Sequence, residues 1–230
     1  MKKLLTLTGI SLVLLASCKK IEGDNKNLDP DNETVEEMMS TNPNSFWEYK
    51  SNENDHFIRK PTGTKQMMNE REWDFYEATD QNTDWITPEY FAKNNDKYVM
   101  LLDLEGSQQE YIEVIVYKEN PKVGDKFNNT HKMSVSGINV DLLIESEVIS
   151  INETFNYPNG TIEGVTVIKN KLKGKTGITP YIDCGSAYLY FKKGIGILKM
   201  DIDISILSFY NREYTDTILD YYIEEDENEE

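Results

Sequence analysis

"NVDLLIESEVIS", residues 139–150, alternates apolar and polar side chains with a period of two. Val140, Leu142, Ile144 and Val148 fall on one face and Asp141, Glu145 and Glu147 on the other, the pattern of a half-buried strand. Further along, "GILKMDIDIS" (196–205) repeats it, with Leu198, Met200, Ile202 and Ile204 inward and Lys199, Asp201 and Asp203 outward. These strands have one wet face and one that packs on a core. Three other runs, "KYVMLLDL" (97–104), "EYIEVIVYK" (110–118) and "SAYLYFKK" (186–193), are apolar on both faces. There the second side of the sheet must also be covered, by a helix, a curl of the sheet or a ligand.

Turn signals divide these runs. Asn159-Gly160 in "YPNGT" (157–161) stands between apolar strands and marks a hairpin. Pro121 and Gly124 break "KENPKVGDK" (118–126). "TPEYFAKNN" (87–95) reads as a short helix, with Thr87 as its cap and Pro88 at its first position. "TKQMMNEREWDFYEA" (64–78) fits a helix through Met68, Phe75 and Tyr76 and a strand through Trp73 and Phe75. No repeat of 20–50 residues is present. These runs and turns read as a mainly β domain with one or two short helices.

The 230-residue chain carries a formal net charge of −17. It opens with the basic Met1-Lys2-Lys3, continues through an apolar run to Leu15 and closes with the small pair Ala16-Ser17, the plan of a secretion signal. Thr6, Thr8, Gly9 and Ser11 interrupt the run, which falls short of the roughly 20 apolar residues of a membrane span. Leu15-Ala16-Ser17-Cys18 resembles the lipobox of bacterial lipoproteins. That resemblance implies cleavage between Ser17 and Cys18 and acylation of Cys18, and a cysteine with two or three acyl chains stays in a membrane at about 0.8 kcal/mol per buried methylene. The implied organisation is a lipoprotein signal peptide (1–17), the lipidated Cys18 with an acidic flexible tether (18–45), a β-rich globular domain (46–223) and an acidic disordered tail (224–230). The tether is Asn- and Asp-rich and lacks the apolar surface to order itself, although Asn32–Val35 begins like a helix. Its "DPDNE" (29–33) is not a calcium loop, because Thr34 and Ser40 occupy the places where an EF-hand needs Gly and Glu.

Several chemistries are disfavoured. No cluster of Lys and Arg supplies a nucleic-acid face. His56 and His131 belong to no metal-ligand or catalytic motif, so no catalytic residue, metal or cofactor is expected, and the chain is read as a non-enzyme; an envelope hydrolase, the distant third reading, would need convergent carboxylates in a cleft. With Cys18 acylated, Cys184 is the remaining thiol and is expected to be buried structure. Gly194 and Gly196 are placed on the inward face of a strand, where a bend or another element comes close. Trp47, Trp73 and Trp85 are the candidate ligand-contact aromatics. Asp216-Thr217-Ile218 resembles the acceptor motif for O-glycosylation of exported Bacteroidota proteins, which makes Thr217 a candidate modification site.

"ETFNYPNGTIEGVTVI" (153–168) followed by "YLYFKKGIGILKM" (188–200) resembles the paired motifs of a family of secreted, β-rich bacterial proteins of unknown function, many of them lipoproteins of Bacteroidota. "PKVGDKF" (121–127) and "FWEY" (46–49) are similar to two further motifs of that family, with Phe127 where Trp is usual. The resemblance implies no activity and a strongly curved sheet, so that the expected fold is mainly β: a single curved antiparallel sheet or half-barrel with one or two short helices, after a signal peptide and a flexible tether.

The functional expectation is a membrane-anchored envelope lipoprotein, a non-catalytic binding module for a lipid, glycan or peptide. The alternative is a structural or accessory subunit of an outer-membrane protein complex. The outer membrane is the expected location, because Lys19 replaces the aspartate that retains enterobacterial lipoproteins in the inner membrane. The face is open, since Lys19-Lys20-Ile21-Glu22 matches an acidic surface-export patch poorly.

Overall fold

The computed structural model describes residues 38–53, 55–68, 70–103, 111–135, 137–206 and 210–224. The signal peptide, Ser17, Cys18, the helix start at 32–35 and most of the acidic tail lie outside the described residues. The chain divides into units 1–35 and 36–230, and every strand belongs to the second.

The strands are β1 (Phe46–Ser51), β2 (His56–Met68), β3 (Arg71–Asp80), β4 (Ile86–Asn94), β5 (Lys97–Asp103) and β6 (Tyr111–Lys118). They are followed by β7 (Lys126–Val135), β8 (Ile138–Tyr157), β9 (Gly160–Lys175), β10 (Ile182–Lys192), β11 (Gly196–Ile206) and β12 (Tyr210–Tyr222). All belong to one antiparallel sheet of order β6-β5-β4-β3-β2-β1-β12-β11-β10-β9-β8-β7. Every neighbour except the β1–β12 pair is a sequence neighbour, so the sheet is two meanders joined where the last strand meets the first.

The sheet rolls onto itself, with no β6–β7 ladder among the described residues. Asn170 on β9 donates a side-chain N–H to the Ile115 carbonyl on β6, at 3.1 Å, and Tyr117 on β6 stacks on Phe191 of β10 with centroids 4.9 Å apart. The rolled face holds the main core, which draws Tyr49, Phe91, Ile112, Val116, Leu142, Phe191, Leu198 and Ile218 from both halves. A second cluster of Trp73, Tyr90, Val99, Leu101, Ile115, Val148 and Ile168 covers the other face of β3–β6. The curl of the sheet is therefore what covers the doubly apolar β5 and β6.

The alternating stretches behave as their pattern dictates: Val140, Leu142, Ile144, Val148, Leu198, Met200, Ile202 and Ile204 are all buried. The hairpin at 157–160 forms, with Pro158 and Asn159 as its two-residue loop and Tyr157 opposite Gly160. The break at 119–125 separates β6 from β7.

Two expectations are corrected and one open reading is decided. Residues 87–95 are not a helix: Ile86–Asn94 is β4, and among the described residues there is no helix. Thr87-Pro88 mimics a helix start, but Tyr90, Phe91 and Ala92 are buried on both faces of the rolled sheet, which a strand permits and a surface helix does not. The 64–78 segment resolves as the β2–β3 hairpin, turning at Glu70 with φ +61°. The tether does not extend to Ser45, because Met38, Met39, Ser40 and Ser45 are buried.

The 38–45 segment lies where strands β10 and β11 turn. Tyr76 donates its hydroxyl to the Ser40 carbonyl at 2.8 Å, and the Gly194 N–H reaches the Met38 carbonyl at 3.2 Å. A Cβ on Gly196 would stand 3.0 Å from the Met39 side chain, so this glycine admits another element as its placement suggests, while Gly194 belongs to the turn.

Gly185 is the more demanding glycine. It sits at a bulge of β10 with φ +102°, and a Cβ there would meet the Asp203 carbonyl oxygen at 2.0 Å. Backbone, unlike a flexible side chain, cannot swing aside. Gly185→Ala is expected to cost about 2–3 kcal/mol in equilibrium denaturation; an unchanged midpoint would show that the β10–β11 pairing relaxes freely.

Candidate functional site

Strand direction alternates, so the loops at 52–55, 81–85 and 176–181 share one end of the sheet, opposite to the end where Phe46 starts β1. At that end a cleft of about 310 Å³ opens between β1–β4 and β11–β12. Its walls include Ser51, Asp55, Phe57, Asp80, Trp85, Thr87, Glu89, Arg212, Tyr214 and Asp216.

Beneath it lies a buried charge cluster. Arg59, between Ile58 and Lys60 on β2, is fully buried. Its Nε and Nη2 donate to the two carboxylate oxygens of Glu89, the Nη2 bond measuring 2.9 Å. Nη1 donates to the Tyr49 hydroxyl at 2.7 Å, and that hydroxyl donates to the Ile197 carbonyl at 2.6 Å. The guanidinium also lies 4.6 Å from the Tyr49 ring centroid and 5.6 Å from that of Phe91. Burial alone would push the Arg59 proton off, but Glu89 and Tyr49 more than reverse this and hold the guanidinium charged. Burial likewise pushes the Tyr49 hydroxyl far up, against the opposing pull of Arg59, so it stays a neutral donor.

Asp216, on β12, is 6% exposed and also lines the cleft. Its carboxyl is pushed up to about 7, chiefly by burial, with Arg59 pulling it down, Glu89 raising it, Arg212 pulling it down and Asp55 raising it. Arg212 lies over the Tyr214 ring at 4.7 Å. The cleft can thus take up charge or protons, and its acids outnumber the guanidinium on its wall.

The three tryptophans part company. Trp47 is buried in the core and donates to the Ile195 carbonyl at 2.6 Å; Trp73 is 1% exposed and donates to the Met68 carbonyl at 3.1 Å. Both are packing residues, because a ring enclosed on every side offers a ligand no face. Trp85 is 72% exposed, on the rim of the cleft. Thr217 is half-buried in β12, between Lys50 and Lys199 of the adjoining strands. Cys184 is buried, its Sγ 3.0 Å from where a Cβ on Gly174 would stand. His56 pairs with Glu48 at 2.6 Å. Among the described residues no group of His, Cys, Asp and Glu is arranged to hold a metal.

Sequence reasoning misses Arg59, Glu89 and Asp216 as a unit. A lone arginine in "HFIRKPTGT" carries no burial signal, and Asp216 joins the Arg59–Glu89 pair only where the two meanders meet.

No protein-family model and no curated protein matches the chain. Solved structures do resemble it. A candidate lipoprotein from Parabacteroides distasonis is similar with a TM-score of 0.49 and 12% identity, over 80% of this chain and 98% of that one. A candidate exported protein with a YmcC-like fold from Bacteroides fragilis gives 0.48 and 10%, over 81% and 99%. The hypothetical lipoprotein YmcC from Escherichia coli gives 0.39 and 12%, over 79% and 89%.

Proposed function

We propose that this chain is an envelope lipoprotein, anchored in the outer membrane through acylated Cys18, that binds a ligand non-catalytically in the cleft beside Trp85. The observation that carries the reading is the cleft itself: an exposed indole, carboxyls and hydroxyls converge at one end of a sheet whose rolled face holds a cluster of buried apolar side chains. Apolar side chains packed on one another within the curl, and polar groups around the cleft, favour a polar ligand, glycan or peptide taken at the mouth over a lipid held inside. Glu89 is committed to Arg59, which supports a binding role over a catalytic one for the carboxyl nearest the floor.

The test is mass spectrometry of material that copurifies with the full acylated chain from native-like envelope. A stoichiometric non-covalent ligand is expected, and Trp85→Ala, which removes an exposed side chain without touching the core, is expected to lose it. A chain recovered empty in both forms would overturn the reading. The anchor has its own test: Cys18→Ala is expected to leave an uncleaved or soluble precursor without acyl label, and label surviving that change would refute lipidation at Cys18.

A second reading, the accessory subunit, is favoured by exposed Trp85, Ile86, Ile138, Ile178, Tyr181 and Ile182, all in or beside loops at the cleft end. In-cell crosslinking from Ile178 that recovers one envelope protein would support it.

A further inference from the structure

We propose that the cleft recognises an organic ammonium group, seated against the Asp216 carboxylate and flanked by the Trp85 and Tyr214 rings. The inference rests on reading the cleft as the ligand site and names the chemistry of what enters it.

Asp216 is more than nine-tenths buried; Arg59 and Arg212 attract its carboxyl from nearby, but among the described residues none is in hydrogen-bond or ion-pair contact with it. Yet no fully enclosed side-chain oxygen of the described protein lacks a partner, so the Asp216 oxygens open into the cleft they line. Its position is set by a ladder, opposite Ser51 on β1 and Met200 on β11, rather than by a loop. A buried carboxylate is costly unless a cation or donor answers it. Arg59 is committed to Glu89 by two hydrogen bonds, which leaves Asp216 the acid at the floor with no cation in direct contact.

The surroundings select the sign of the ligand. Facing Asp216 are Arg59 and Glu89 from β2 and β4, Asp55 from the β1–β2 loop and Arg212 from its own strand, with Glu53 and Asp80 on the rim. Acids outnumber bases, so a phosphate or carboxylate is repelled. A neutral sugar satisfies hydrogen bonds but leaves the excess charge in place; a cation does both. The wall already accepts one: the Arg212 guanidinium lies 4.7 Å over the Tyr214 ring, and Trp85 offers a larger exposed face for the same interaction.

A cation seated here holds Asp216 ionised, so binding displaces its proton below about pH 7 and affinity falls as the medium is acidified. The test is calorimetric titration of the full acylated chain in detergent with 1,5-diaminopentane, with a capped Ala-Lys-Ala peptide, and with 1,5-pentanediol as the neutral match. Saturable one-site binding of the diamine is expected at pH 8 and none of the diol. Affinity is expected to fall at least about tenfold at pH 5 and at least about tenfold in Asp216→Asn, and about three- to tenfold in Trp85→Ala. The second variant alters only an exposed ring, so it keeps the test valid if the first folds poorly. A tighter peptide than diamine assigns the group to a protein side chain, and the reverse to a free amine; both support the proposal. Equal binding of the diol, diamine binding untouched by Asp216→Asn, or no heat with millimolar cation would overturn it. If, in addition, a neutral molecule copurifies and is lost in Trp85→Ala, the cleft remains the ligand site and only the ammonium inference falls.

Discussion

Replacing Arg59 by methionine is expected to lower the stability of the β domain by about 3–5 kcal/mol, read as a fall in the denaturant midpoint at unchanged slope. Methionine preserves most of the volume of the stem, so the loss is electrostatic rather than a cavity. Arg59 answers Glu89 through two parallel hydrogen bonds and supplies the proton that the Tyr49 hydroxyl accepts. Without it a carboxylate stays at the cleft floor beside Asp216, and the face of Tyr49 loses the cation stacked on it. The Glu89 side chain is 14% exposed, which lets cleft water reach it and sets the expectation towards the lower end of the range. Removing both charges tells the two effects apart. Arg59→Met with Glu89→Gln is expected to recover most of the loss, because a buried pair contributes little net stability while a broken one leaves a naked charge. Additive losses in the double variant would mean that Arg59 acts through packing on Tyr49 and Phe91 alone.

The strands are legible because their burial has a period of two and turns interrupt it. Residues 139–150 and 196–205 need nothing else. The 87–95 segment misleads because Thr-Pro before a mixed run satisfies the local rules for a helix start, while what decides it is pairing with Ala78 and Val99 on strands that sequence alone does not place. The β domain begins earlier than Phe46 for a related reason: Met38 and Met39 sit in an acidic, polar stretch, and only the turn at Gly194–Gly196 shows what they pack on. Within the site, Trp85 is visible as a residue type but not as the exposed one among three. Asp216 is visible only as part of a short acceptor-like motif, although its inward side chain is what joins β12 to the cleft. Sites assembled across the closure of a sheet depend on topology, and no spacing along the chain encodes them.

Asp216 also makes stability depend on pH, in a direction opposite to the usual carboxylate. Its carboxyl is pushed from an ordinary 3.8 up to about 7, so between these values the native chain holds a proton that the unfolded chain releases. Stability from this group is therefore complete below about pH 4, declines as pH rises to about 7, and is flat above. At 1.36 kcal/mol per unit the full swing is about 4 kcal/mol. Asp216→Asn removes the titration. The variant's stability relative to the parent is expected to climb by about that amount from pH 4 to pH 7, on top of a constant offset for the buried amide, which costs about 1–3 kcal/mol if it finds no partner. Exposed Asp80 and Asp96, held down by hydrogen bonds from Asn82 and from Lys97, contribute the reverse slope but are common to both proteins and cancel in the difference. Parallel stability profiles across this range would show that cleft water solvates the carboxylate fully, and would remove the reason for a cation to be held there. If the swing is present, 1,5-diaminopentane is expected to raise the stability of the parent at pH 8 with the logarithm of its concentration and to leave Asp216→Asn unmoved. The charge that burial makes costly in the empty cleft is then the one a ligand stabilises.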